Sequence, residues 1–250
     1  SRCGKIAVSV ALRQLRAGTL DLQSPQVRQV LVGRLASAMA SATAAQTLLQ
    51  QVRPQLMLSF DVEYTPGGEL FDNCMANGIE VVTYRDGHKD NIQILKRYSP
   101  RNRDQNPDSL PEESWEVVRT MAWSDANRSE LREELHNNYT SGNWYAVVGT
   151  QFNTRFMDAG TIRKRLGLSP AKKTAFIFPH IPWDASLRWC QDLFRNYEDW
   201  LIETVRAACS NDNVNWVIKI HPANVGKQLK GRYKEEPAEV VALRRCFGKL

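Results

Sequence analysis

Two short apolar runs, Thr174-Ala-Phe-Ile-Phe178 and Val214-Asn-Trp-Val-Ile-Lys-Ile220, stand on either side of a long helical pattern, and that order leaves few folds open. Between them Trp189, Leu193, Tyr197, Trp200/Leu201, Val205 and Ala208 recur at the spacing of one helix face, which predicts a helix over residues 187–209. Asn211-Asp-Asn213 then turns the chain. A strand–helix–strand connection of this length is a crossover, so the two strands are expected to run parallel. The same order occurs earlier. Leu56-Met-Leu-Ser-Phe60 is of strand length, a short helix is expected over 69–77 with Gly78 closing it, and Ile79-Glu-Val-Val-Thr-Tyr84 reads as the returning strand. Two βαβ units imply an α/β chain built on parallel sheet.

The remaining elements frame these units. Ser24 suits an N-cap and Pro25 a first helical position. From there Val27, Val30/Leu31, Leu35, Ala38/Met39, Ala42, Ala45, Leu48/Leu49 and Val52 sustain a helical stripe rich in small residues, the pattern of a scaffold helix that lies close to a neighbour. Residues 99–113, rich in Pro, Asn, Asp and Arg, read as a surface loop. Helices are expected around 114–121 and 129–137, a strand at Trp144-Tyr-Ala-Val-Val148 and a helix over 158–166. Gly167-Leu-Ser-Pro-Ala-Lys-Lys173 breaks the pattern, which divides the chain into 1–168 and 169–250.

Composition narrows the partners. The net charge of +6 favours an acidic one, such as a nucleotide phosphate, an anionic polysaccharide or a membrane surface. The basic residues are scattered, apart from Arg163-Lys164-Arg165 and a group between Lys227 and Lys234. No basic stripe is interleaved with aromatics, so nucleic acid is not expected. The five cysteines, Cys3, Cys74, Cys190, Cys209 and Cys246, form no C-x-x-C pair, which argues for reduced thiols and against a zinc site. No apolar run reaches the roughly 18 residues of a membrane span, and the opening residues do not read as a signal peptide.

In open α/β sheets ligands bind at the carboxyl ends of the strands, where loops and helix N-termini face one crevice. The first strand of the second unit delivers Pro179, His180, Trp183 and Asp184 to that edge; the second delivers His221 and Pro222. Alternation places Val217, Lys219 and His221 on one strand face. A lysine in a buried strand needs an anion, either a bound phosphate or a carboxylate of the protein itself. A phosphate would also accept a hydrogen bond from His221, with Pro222 stiffening the turn.

Phe178-Pro-His-Ile-Pro-Trp-Asp184, the helix bearing Tyr197-Glu-Asp-Trp200, and Val217-Ile-Lys-Ile-His-Pro222 together resemble the donor domain of capsule-polysaccharide biosynthesis glycosyltransferases. The resemblance covers about residues 173–225. It implies the GT-B fold, two Rossmann-like domains facing one another across a cleft, here with an N-terminal acceptor-side domain and a partial C-terminal donor domain. Relatives include the Kdo transferases and, more distantly, bacterial sialyltransferases with a His-Pro motif. In them that histidine contacts the donor phosphate, a role the resemblance carries to His221, with Lys219, His180, Trp183 and Asp184 expected around it. Family members continue beyond the His-Pro strand with further βα units. About 28 residues follow Pro222 here, so both ends read as excision points and catalysis by this chain alone is not expected.

The N-terminal domain of such an enzyme supplies acceptor contacts and often the catalytic carboxylate. Asp61 and Glu63, just past a strand end, and Asp86 in Tyr84-Arg-Asp-Gly-His88 are the candidates for a general base, with Arg85 and His88 lining the same cleft. Asp61 and Glu63 equally suit a cap or turn. No Asp-x-Asp or other metal constellation is visible, and GT-B enzymes generally neutralise the leaving group with cationic side chains and helix N-termini, so neither metal nor cofactor is expected. The expected substrates are a nucleotide-sugar donor and an anionic glycan or glycolipid acceptor, in the cytoplasm or peripherally on the inner membrane. A nucleotide-sugar epimerase, a polyol-phosphate transferase and a non-catalytic binding module are the alternatives on the same fold.

Overall fold

The computed structural model describes residues 2–87, 92–141, 157–184, 193–221 and 236–248. The chain opens with α1 (Arg2–Leu15), a helix the sequence reading left out. It buries Ile6, Ala7, Ser9, Ala11 and Leu12 on one face while Arg13 stays exposed. α2 (Pro25–Val52) begins as expected, the Ser24 hydroxyl accepting from Val27 N–H at 3.5 Å with Pro25 in the first turn. It ends at Arg53, whose left-handed backbone returns its N–H to the Leu49 carbonyl at 2.9 Å.

β1 (Leu56–Ser59), α3 (Gly67–Ala76) and β2 (Glu80–Asp86) form the first βαβ unit, with β1 and β2 parallel and Leu56 opposite Glu80. Gly78, with φ of 69°, closes α3. The α3 N-terminus sits tightly on the preceding loop: a Cβ on Gly67 would collide with the Asp61 carbonyl oxygen. α3 covers the inner face of the sheet, where Val62, Phe71, Cys74, Met75, Val81 and Tyr98 join Leu49 of α2 in one core. Phe71 and Tyr98 meet edge to face at 5.2 Å. The buried Cys74 thiol is pushed up from its ordinary pKa by desolvation.

The sheet is mixed rather than purely parallel. β3 (Gln93–Tyr98), also unread in the sequence, pairs antiparallel with β2, Asp86 opposite Gln93, and gives the order β1-β2-β3. Gly87 N–H donates to the Ile92 carbonyl at 2.7 Å, turning the chain back on itself. The Asn- and Pro-rich loop that follows is irregular, as expected, but it is tied down. Lys96, 4% exposed, donates to the carbonyls of Asn106 (2.6 Å) and Ser109 (2.9 Å) and to the Ser109 hydroxyl (2.7 Å).

α4 (Glu112–Thr120), α5 (Asp125–Ser141) and α6 (Ala159–Arg165) fall where helices were expected, and Asp158 caps α6 by accepting from Thr161 N–H at 3.0 Å. The strand expected at Trp144–Val148 lies outside the described residues. β4 (Lys173–Ile177), α7 (Tyr197–Cys209) and β5 (Val214–Ile218) form the second βαβ unit, its strands parallel with Ile177 opposite Ile218. α7 starts later than the expected residue 187. Asn196 is extended and its side chain accepts from Asp199 N–H at 2.8 Å, an N-cap that fixes the first turn at Tyr197; residues 193–196 are not helical, and 185–192 lie outside the described residues. α8 (Ala238–Phe247) closes this unit, where no element had been expected. Ile177, Leu201, Val205, Ala208 and Leu243 make its core.

These residues form a mixed α/β chain with one three-stranded and one two-stranded sheet. A third cluster, Leu12, Ile181 and Trp183 with Val8, Leu20 and Ala238 against it, joins them: α1 lies on α2 and α3 and also carries the loop after β4. No helix among the described residues is long and apolar enough to cross a membrane.

Candidate functional site

Both βαβ units place their loops at the carboxyl ends of parallel strands, and the two sets of loops touch. Tyr64, buried in the loop after β1, donates its hydroxyl to Asp184 Oδ1 in the loop after β4 at 2.8 Å. The Arg13 guanidinium of α1 stacks 4.4 Å from the Tyr64 ring centre. Asp184 is thus committed to holding the two loops together. Trp183, 8% exposed, packs against Leu12 and Ile181. Both had been expected around the donor; Asp184 is bonded to Tyr64, and Trp183, besides this packing, lines a cavity of about 380 Å³ with Gly18, Glu198 and Arg245. Tyr64→Phe is expected to cost about 1–2 kcal/mol of stability by leaving the half-buried Asp184 without this donor, measured by urea denaturation. An unchanged midpoint would show the bond to contribute nothing.

The open side of the β4 edge carries an aromatic groove. Phe178, His180, Leu193, Phe194, Asn196, Tyr197 and Trp200 line a cavity of about 490 Å³. The His180 imidazole stacks on Tyr197 with centres 4.3 Å apart and 27° between planes, and its Nδ1 lies 3.0 Å from the Ile181 carbonyl. That carbonyl accepts, so Nδ1 carries a proton. Lys219 reaches the same groove: its ammonium lies 5.8 Å from the Phe178 ring centre, and its backbone N–H extends the ladder to the Ile177 carbonyl at 2.9 Å.

Lys219 is exposed, which overturns the reading of a lysine in a buried strand. Alternation was read rightly, but only one face of this sheet is covered. Ile177 and Ile218 point to the α7–α8 core, while Phe176, Phe178 and Lys219 are open to solvent on the other side. Lys219 therefore needs no anion to offset burial, and remains available to one. His221 follows β5 by three residues and is half-buried; Pro222 lies outside the described residues.

The first turn of α7 carries Glu198 and Asp199. Arg195, bonded to Asp199 at 3.0 Å, holds that carboxyl below the ordinary aspartate value. The helix N-terminus is therefore already matched by negative charge, and an anionic ligand in the groove would meet its cation at Lys219. The α3 N-terminus is matched in the same way. Glu69, 1% exposed in its first turn, accepts from the Thr65 hydroxyl at 2.7 Å.

The N-terminal candidates are brought together, but as structure. Asp61 accepts from Glu63 N–H at 2.7 Å in a side-chain turn, the alternative its residue type had left open. Glu63 pairs with Arg85 at 2.5 Å, and Arg85 continues to Asp108 at 3.7 Å. Glu63, expected as a candidate base, and Arg85, expected to line the acceptor side, are thus partners of one another. Asp86 ends β2 on the exposed edge; His88 lies outside the described residues. No group of three metal-ligating side chains occurs among the described residues. Cys3, Cys74, Cys209 and Cys246 are free thiols.

Phe178, Phe194, Tyr197 and Trp200 were not read as site residues. The sequence holds one signal for them: Asn196 with Asp199 three residues on is an N-terminal cap, which would have placed Tyr197 at the helix start beside the strand end. Comparison with protein-family models, with curated proteins and with solved structures finds no match to this chain.

Proposed function

We propose that the chain is the core of a GT-B-type glycosyltransferase of surface-polysaccharide assembly, taking a nucleotide-activated sugar in the groove at the carboxyl ends of β4 and β5. The observation that carries this reading is the groove itself: stacked rings of His180 and Tyr197 beside Phe178 and Trp200, with the Lys219 ammonium at its rim. A flat aromatic base can slide against such rings, worth about 1–3 kcal/mol per stacked base, while its phosphate meets the cation. The contact of Tyr64 with Asp184 adds support, since it turns the loops after β1 and β4 toward each other, as two Rossmann-like domains across a cleft would require. The acceptor then enters from the β1–β2 side, where Asp86 ends β2 exposed to solvent. The basic balance of the chain suits an anionic glycan or the cytoplasmic face of an inner membrane.

The test is calorimetric titration with CMP, CDP, UDP and GDP. One nucleotide is expected to bind with a dissociation constant of about 10–100 μM, weakened about tenfold by Lys219→Ala and again by His221→Ala. Lys219 is exposed, so its loss leaves the fold intact. Absence of binding by all four would overturn the nucleotide site. The engagement of Asp61 and Glu63 favours a second reading, a binding module without transfer chemistry; binding of a nucleotide with no turnover of its sugar derivatives would select it.

A further inference from the structure

Two surfaces of this chain are apolar, uncovered and opposite in charge. The first is the arm formed by α4 and α5. No described residue of either helix is buried, and Trp115, Val118, Met121, Leu131 and Leu135 are 43–66% exposed. Between Glu112 and Asn137 seven acidic residues stand against three basic ones, in a chain whose net charge is +6. The second is the outward side of α2. Ala38, Ala45 and Leu49 face the protein, while Val32, Leu35, Met39, Leu48 and Val52 are 37–66% exposed on the other sides. The helix contains no acidic residue; Arg28 and Arg34 lie in its N-terminal half, Arg53 caps its end, and residues 35–52 carry no charge at all.

An uncharged helix face with this many exposed apolar side chains is the kind of surface that a partner covers. Charge decides what covers it. An acidic segment with apolar side chains brings those to the α2 face and carboxylates to its arginines. The arm is such a segment: α4 presents Trp115 and Val118, with Met121 at its end, beside Glu112, Glu113 and Glu116, and α5 adds Leu131 and Leu135 one turn apart among its own carboxylates. We propose that this chain forms a two-fold dimer in which the α4–α5 arm of each copy lies along the outward face of α2 of the other. The two-fold axis makes each contact occur twice and closes the assembly, so all four uncovered faces are buried by two chains. An anionic membrane could attract α2 but would repel the arm and leave it uncovered.

Sedimentation equilibrium on the whole chain tests this. Wild type is expected to be dimeric at about 10 μM, and Val118→Arg on the arm or Met39→Asp on α2 should each raise the dissociation constant about 30-fold, the loss typical of a contact at the centre of an interface. Both side chains are exposed in the protomer, so far-ultraviolet circular dichroism should not change. The decisive arm mixes the two variants. A Val118→Arg chain and a Met39→Asp chain together make one intact contact and one in which arginine meets aspartate, so the mixture should recover dimer that neither variant forms alone. A wild type that stays monomeric up to about 100 μM, a dimer indifferent to either substitution, or a mixture without recovery would overturn the proposal. So would a monomer that binds anionic phosphatidylserine vesicles through α2, lost in Met39→Asp.

Discussion

Lys96→Met should lower stability by about 3 kcal/mol and free the loop that follows β3. The ammonium spends its three donors on Asn106 and Ser109, two carbonyls and a hydroxyl, from a position almost closed to solvent. Bonds from a charged donor contribute about 1.5–3 kcal/mol each, and methionine offsets part of their loss by removing the cost of burying the charge. Other ties of the loop remain: Tyr98 donates to the Gln105 carbonyl at 3.2 Å, Asn102 donates to the Arg97 carbonyl at 3.0 Å, and Arg103 pairs with Asp72 at 2.8 Å. Urea denaturation should give the stability change, and trypsin should cut faster at Arg101 and Arg103. A midpoint within error of wild type would refute the role.

The same residue makes a pH prediction of definite sign. Burial pulls the Lys96 pKa below the ordinary 10.5, and the nearby Asp108 pulls part of the way back. A lowered folded pKa means that the unfolded chain binds more protons in the window between the two values, so folding gains stability as pH rises through it. Wild type should therefore gain on Lys96→Met between the lowered value and 10.5, and hold a constant difference at neutral pH. A gap that narrows in that alkaline window would mean that the folded protein favours the ammonium over the neutral amine, the reverse of a lowered pKa.

Periodicity and crossover length made both βαβ units legible, because a strand–helix–strand order fixes strand direction before any contact is known. Caps were legible for the same local reason: Ser24 and Asp158 satisfy their helices where their sequence positions say they should. The elements that were missed answer to non-local partners. α1 carries the apolar run Ile6-Ala-Val-Ser-Val-Ala-Leu12, which by itself does not fix a helix, and it packs through that run against α2, α3 and the β4 loop. β3 pairs with β2 past Asp86-Gly87, a turn dipeptide the sequence offered, but its six residues alternate too weakly to read as a strand alone, and α8 depends on the core that Leu243 completes. The site divides in the same way. That His180 and Lys219 stand at one strand edge follows from topology. That Glu63 meets Arg85 across 22 residues, or Tyr64 meets Asp184 across 120, is tertiary information that no spacing encodes. The error about Lys219 came from assuming that a parallel sheet is covered on both faces, whereas Phe176 and Phe178 beside it are open.

Trp183→Ala should be the most damaging single change at the junction between the sheets, costing about 3–5 kcal/mol. Its side chain fills the cluster with Leu12 and Ile181, between α1 on one side and Ala238 of α8 on the other. Of the three buried apolar clusters among the described residues this one joins the two units, so the cavity left behind would loosen their coupling more than it harms either core. Urea unfolding should then change in shape as well as midpoint, one transition giving way to two with a smaller slope for each. A ligand-contacting tryptophan behaves differently: its loss would abolish nucleotide binding while leaving cooperativity intact. Trp183→Phe separates the cases further. Phenylalanine fills most of the cavity, so about half of the lost stability should return, and nucleotide binding should match wild type. Retained cooperativity in Trp183→Ala together with lost binding in Trp183→Phe would restore Trp183 to the ligand site. The opposite pattern makes α1 and this one indole the means by which two small sheets, each bare on one face, hold their strand ends toward each other.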